Sequence, residues 1–225
     1  MAQDPAPLLQ LRRALAEASP RARPCAPPIP TGIGPLDEAL GGGLPAGRLV
    51  DLAGPGAMSL ALQALGAANQ EGLCAFVDLD GSLDAEGAHK CGVDLARLLW
   101  ATVKTSEDGL RAADILLRAG GFRLVVVSFC RLGAAPPRVS AGAWQRLVQR
   151  AEQARTAVLL VGEQAPAAGS TAFASVQCRP GPAKWTACPG NRLLLEGRWI
   201  SYEVTRCRAG RPLAPTPLLL RRAPS

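Results

Sequence analysis

The feature that most constrains this chain is an alternation of short apolar runs with longer amphipathic stretches. The runs are Leu49–Ala53, Cys74–Val77, Leu98–Val103, Leu124–Val127 and Val158–Val161. Each is too short for a buried helix, and Arg123-Leu124-Val125-Val126-Val127 shows no polar alternation. Such runs predict strands covered on both faces. Helices are predicted between them, near Ser59–Gln70, Ser106–Ala119 and Ala143–Arg155. The last places Trp144, Leu147, Val148 and Ala151 on one helical face. The middle one opens with Ser106 as N-cap, followed by Glu107 and Asp108, whose charges suit a helix N-terminus. Strands alternating with helices of this length imply an α/β fold, a mainly parallel sheet flanked by helices. After about residue 172 the segments turn β-prone: Phe173–Cys178, Arg192–Glu196 and Trp199–Cys207, with Glu196-Gly197-Arg198 as a hairpin turn. An antiparallel extension at the C-terminal side is expected there.

The alternation has flanks. Leu8–Ala18 carries Leu8, Leu11 and Leu15 at helical spacing, and the Pro-rich stretch Pro20–Pro30 after it suggests an extended linker. The other end, Arg211 to Pro217, is also Pro-rich and closes on Leu218, Leu219, Leu220, Arg221 and Arg222. Three parts are therefore expected: an N-terminal helix and linker over 1–30, a core over 31–211, and a tail over 212–225. The two leucine-bearing ends, Leu8/Leu11/Leu15 and Leu218/Leu219/Leu220 with Arg221 and Arg222, are candidate partner-binding surfaces, with ordinary packing as the alternative.

Composition narrows the function classes. The 225 residues are enough for one good core. No run approaches the roughly 18–20 apolar residues of a membrane span, and the first residues have no secretory pattern, so a cytoplasmic protein without membrane association is expected. Seven scattered cysteines and a single histidine, His89, offer no metal-ligand spacing, and Cys74 in its apolar run reads as a small buried residue. The net charge of +7 favours acidic partners such as nucleic acid or an acidic protein surface, with five arginines among the last twenty residues.

One loop carries most of the chemical information. The run Leu49–Ala53 ends in Gly54-Pro55-Gly56, and a helical pattern follows almost at once. A working phosphate loop, G-x-x-x-x-G-K-[ST], cradles phosphates with backbone N–H groups, neutralises them with lysine and holds magnesium through a hydroxyl. Here the second glycine and the lysine are both missing. Ser59 could supply the hydroxyl, but Met58 occupies the place of the charge.

Taken in order, several stretches resemble the RecA recombinase core: Thr31 to Arg48, Cys74-Ala75-Phe76-Val77-Asp78 with Ser82-Leu83-Asp84, Gly92-Val93-Asp94-Leu95, Ala174-Ser175-Val176, and the strand around Val204. The resemblance implies roles for particular positions, and these are degenerate. Ser128 stands where that family ends a strand in a magnesium-positioning aspartate. Asp80 takes the place of its catalytic glutamate, and Gln164 that of its γ-phosphate sensor. Together with Gly54, Pro55, Gly56 and Ser59 they would form a degenerate nucleotide site, with no catalytic residue, metal or cofactor expected. Hydrogen bonding within the fold is the role expected of Asp78, Asp80 and Gln164. The two loops that contact DNA in RecA look shortened, after Ser128 and after Gln164, and neither has the basic and aromatic mixture that grips single strands. DNA binding is expected to be weak and nonspecific at most.

A RecA-like chain with these losses and an extra N-terminal helix is similar to the ImuA family of bacterial mutagenic translesion-synthesis cassettes. The resemblance implies an SOS-linked adapter rather than an enzyme. Its partners would be ImuB, RecA and, indirectly through ImuB, an error-prone C-family DNA polymerase. Two alternatives stay open: a cell-division inhibitor of the SulA type, and a RecA-like ATPase with a noncanonical phosphate loop.

Overall fold

The computed structural model describes residues 26–79, 81–129, 139–162, 170–188, 191–207 and 213–221. The five apolar runs become β1 (Leu49–Ala53), β2 (Leu73–Asp78), β3 (Leu98–Thr102), β4 (Phe122–Ser128) and β5 (Ala157–Gly162). The helices are α1 (Gly34–Leu40), α2 (Ala57–Glu71), α3 (Ala85–Lys90), α4 (Ser106–Ala119), α5 (Ala141–Ala154) and α6 (Ser170–Phe173). Three long strands follow, β6 (Val176–Cys188), β7 (Asn191–Cys207) and β8 (Leu213–Arg221). All eight strands form one sheet in the order β3-β2-β4-β5-β1-β6-β7-β8. The pairs from β3 through β1 to β6 are parallel, and β6–β7 and β7–β8 are antiparallel.

Pleating divides the central strands between two cores. Val50, Leu52, Cys74, Phe76, Leu124, Val126, Leu159 and Val161 pack with Leu60, Ala64, Leu65 and Ala68 of α2 on one face. Ala75, Val77, Val125, Val127, Val158 and Leu160 pack with α4 and α5 on the other. Adjacent residues of one strand thus feed opposite layers, which is why the runs are apolar without interruption. Trp144, Leu147 and Ala151 form the buried stripe of α5, as their spacing predicts.

Local chemistry sets the element ends. The N-cap of α4 is Thr105, whose hydroxyl accepts from the Asp108 amide at 3.1 Å, so Ser106 is the first helical residue rather than the cap. In α1, Pro35 sits in the first turn and Gly41 closes the helix in the left-handed region, with the Gly42 amide returning to Asp37 O at 2.7 Å.

Three expectations require correction. The core does not begin at residue 31, because Ile29 is fully buried and exchanges two 2.8 Å backbone hydrogen bonds with Leu44. The segment Glu196-Gly197-Arg198 is not a turn. Gly197 lies inside β7, paired with Thr186 on one side and Arg221 on the other. A strand partner on each edge overrides the turn preference of a local Glu-Gly-Arg. The supposed tail is likewise a strand, since Leu218, Leu219 and Leu220 pair with Ile200, Trp199 and Arg198. Pro215 and Pro217 are tolerated because β8 is the last strand of the sheet.

Candidate functional site at the strand ends

In an open α/β sheet the carboxyl ends of the parallel strands are where ligands collect. Here they bring together the Gly54–Gly56 loop, Asp78, Ser128 and Gly162. The loop is a closed turn. The Ala57 amide donates to Gly54 O at 3.0 Å, Pro55 occupies the second position, and Gly56 has φ 87° and ψ 1°. Those values belong to a type II β-turn, which favours Pro and Gly at these two positions. The Gly54 amide donates to Gly162 O at 2.8 Å and so ties the turn to β5. Two of the loop's backbone donors are therefore spent within the protein, and Pro55 has none to offer. The helix starts immediately. Gly56 is its N-cap without a side-chain cap, and the Leu60 amide donates to Gly56 O at 3.1 Å. Ser59 lies in the first turn of α2, half-buried, while Met58 packs against the hydrophobic core.

Two strands away, Ser128 ends β4 with 1% of its surface exposed, between Asp78 of β2 and Val161 of β5. Its hydroxyl lies 3.1 Å from that of Ser82. Asp78 is fully buried, and its carboxylate gathers four donors. One oxygen accepts from the Ser82 amide and hydroxyl, both at 2.9 Å, and the other from the Leu83 amide at 3.0 Å and Trp100 Nε1 at 3.3 Å. These bonds knit the β2–α3 connection to the edge strand β3, in keeping with the fold-bonding role expected of Asp78.

Gly54, Pro55, Gly56, Ser59 and Ser128 thus converge at one end of the sheet. Asp80 and Gln164 lie outside the described residues, as do Leu8, Leu11, Leu15 and Arg222. Leu218, Leu219, Leu220 and Arg221 occupy β8 at the far antiparallel side of the sheet. Sequence reasoning missed two features. Asp51 is buried in the middle of β1 and accepts from the Ser170 hydroxyl at 3.3 Å, and a lone acid inside an apolar run was the available signal. A groove of about 350 Å³ also lies between α4 and α5, with Leu110, Ile115, Val139 and Leu147 as apolar lining and Glu107 and Arg146 among its charges. That groove is made by two helices packing together, so no single segment announces it. Among the described residues no group of three or more His, Cys, Asp or Glu is placed to hold a metal ion, and no helix is long and apolar enough to cross a membrane.

Comparison with known proteins agrees with this architecture. RecA of Cutibacterium acnes is 47% identical over 104 residues, covering 44% of this chain and 30% of that protein. RecA of Brucella anthropi is 45% identical over 104 residues, covering 44% and 29%. The chain therefore spans about 30% of the length of these relatives. The crystal structure of the RadB recombinase superposes with a TM-score of 0.62 at 20% identity, covering 86% of this chain and 95% of that one, a likeness of fold. Residues 21–155 match the RecA N-terminal domain, more than half of the sequence, and the chain belongs to that family.

Proposed function

We propose that this protein is a non-catalytic RecA-like adapter of the ImuA type in SOS-induced mutagenic translesion synthesis, joining ImuB, and through it an error-prone polymerase, to RecA. The observation that carries the reading is the Gly54–Ala57 turn. It stands where a phosphate loop would wrap a triphosphate, two of its backbone donors are spent on Gly54 O and Gly162 O, and it is followed by Met58 rather than lysine. The remaining helix N-terminus is worth typically 0.3–1 kcal/mol toward an exposed anion, too little to hold a triphosphate and magnesium without a cation. Ser128 brings a neutral hydroxyl to a position that needs a carboxylate for magnesium. Association, in contrast, has surfaces to use. Edge strand β3 leaves Leu99 and Trp100 each 44% exposed, and the α4–α5 groove combines an apolar floor with charged rims.

Two measurements test the proposal. Calorimetric titration with ATP and magnesium is expected to show no saturable binding, and the purified chain no steady hydrolysis. ATP bound beside residues 54–59, or sustained turnover, would restore the ATPase reading. Co-purification is expected to retain ImuB, RecA or both. If neither is retained while the tubulin-like division protein is, the SulA-type reading replaces it.

A further inference from the structure

The groove between α4 and α5 carries features that its own fold leaves unused. Glu107, Leu110, Arg111, Asp114 and Ile115 line it from α4, at the three- and four-residue spacing of a single helical side. Leu110 and Leu147 are buried in its floor, whereas Ile115 is 63% exposed, more than any other large hydrophobic residue described. Two ion pairs already close within the chain, Arg111 with Asp108 at 3.6 Å and Arg150 with Asp114 at 3.4 Å. Glu107 on one wall and Arg146 on the other make no ion pair or side-chain hydrogen bond among the described residues. The groove thus keeps one free charge of each sign beside an exposed isoleucine.

Topology sets the direction of both walls. Strands β3, β4 and β5 are parallel, so α4 and α5 both return against them and run parallel to each other. The Arg150–Asp114 bond places residue 114 of α4 near the level of residue 150 of α5. A second copy, related by a two-fold axis through the middle of the α4 stripe near Arg111, presents its own α4 running the opposite way. Its Glu107 then stands at the level of Ile115, roughly 8 Å along the axis from Arg146 and inside the combined reach of the two side chains. Its Ile115 stands at the level of Glu107, over Ala143. By symmetry each contact forms twice. Near the axis Arg111 faces its counterpart, each already held by its own Asp108.

We infer that the α4–α5 face is an interface between two copies of this chain. The α4 of each copy lies in the groove of the other, with Ile115 as the apolar anchor and Glu107–Arg146 as reciprocal ion pairs. Charge complementarity carries the choice of occupant. Both halves of each pair are already on this one surface, which is what a two-fold contact demands. Nucleic acid would meet the carboxylates of Glu107 and Asp114 in the walls. A helix of another protein would have to supply an acid and a base at the right levels, whereas a second copy has them by construction. The inference does not rest on the adapter proposal, because it concerns the purified chain alone.

The experiment is sedimentation equilibrium of the full chain across a wide range of concentration. A monomer–dimer equilibrium is expected. Ile115→Asp, a change at an exposed position, should raise the dissociation constant at least about thirtyfold, as the loss of an interface anchor does. Glu107→Arg and Arg146→Glu should each raise it about tenfold, by setting like charges face to face twice. The double variant Glu107→Arg/Arg146→Glu reverses both pairs and should return within about threefold of the original value. Glu38→Arg, exposed on α1 across the sheet, should change nothing. If circular dichroism shows Ile115→Asp to be misfolded, the charge series decides the matter. A monomer at every concentration overturns the inference. So does a dimer indifferent to these changes, or one that the double variant fails to restore. Loss of the dimer in Leu8→Asp/Leu11→Asp, with the charge variants unaffected, also overturns it and assigns association to the N-terminal segment.

Discussion

Gly66, in the middle of α2, is held to its identity by a neighbour rather than by its own backbone. A Cβ there would lie 2.2 Å from the carbonyl oxygen of Cys91, in the connection after α3. Backbone cannot swing aside as a side chain can, so Gly66→Ala should cost about 1–3 kcal/mol despite its better helix propensity. Gly34→Ala, with open space around it, should be close to neutral, and urea midpoints of the pair check this. Cys74 makes a second prediction. Burial pushes its thiol from 9.0 up to about 11, with hydrogen bonds from its surroundings opposing the rise. The unfolded thiol ionises first, so between pH 9 and 11 the unfolded state holds fewer protons and stability falls as pH rises. The loss should be on the order of 2 kcal/mol at the top of that window. It should be absent from the pH profile of Cys74→Ala, whatever that variant's baseline. The burial of Cys74 was legible from its apolar run, whereas the contact at Gly66 was not, because its partner lies in another element.

At the scale of elements, the β2–α3 connection is organised by one buried carboxylate. Asp78→Ala would leave the Ser82 and Leu83 amides and the Trp100 indole without their acceptor. Each buried donor so orphaned costs about 1–3 kcal/mol, so the variant should lose roughly 3–5 kcal/mol and shift the Trp100 fluorescence. Asp78→Asn, which keeps one carbonyl oxygen, should fall between. The strand and helix positions behind this network were readable from hydrophobic periodicity. Asp78 itself was read as a fold-bonding residue, but its link to Trp100 required parallel pairing of β2 with β3, in which Phe76 stands opposite Trp100. The cap of α4 was missed by one residue for a related reason: Thr105 and Ser106 are chemically equivalent caps, and only backbone geometry distinguishes them.

For the whole molecule, the antiparallel side decides how the sheet ends. Because β8 pairs with β7, deleting residues 213–221 would remove a strand rather than trim a tail. The shortened chain should expose the β7 edge, and size-exclusion chromatography should show it associating or aggregating beyond the state of the full chain. Point substitutions, not truncations, are therefore the means of testing partner binding at this end.

What the sequence alone determined was the parallel half: its strands, its main helices, its RecA-like order and the loop without a lysine. Those features repeat every few residues or sit in one contiguous motif, so local chemistry states them. What only the tertiary structure decided was the closure of the Gly54–Ala57 turn onto β5, the path of β7 through Gly197 and the capture of 213–221 as an edge strand. Each depends on hydrogen-bond partners supplied by a distant segment, and at Gly197 and through residues 213–221 long-range pairing outweighs the local preference of glycine and proline to turn.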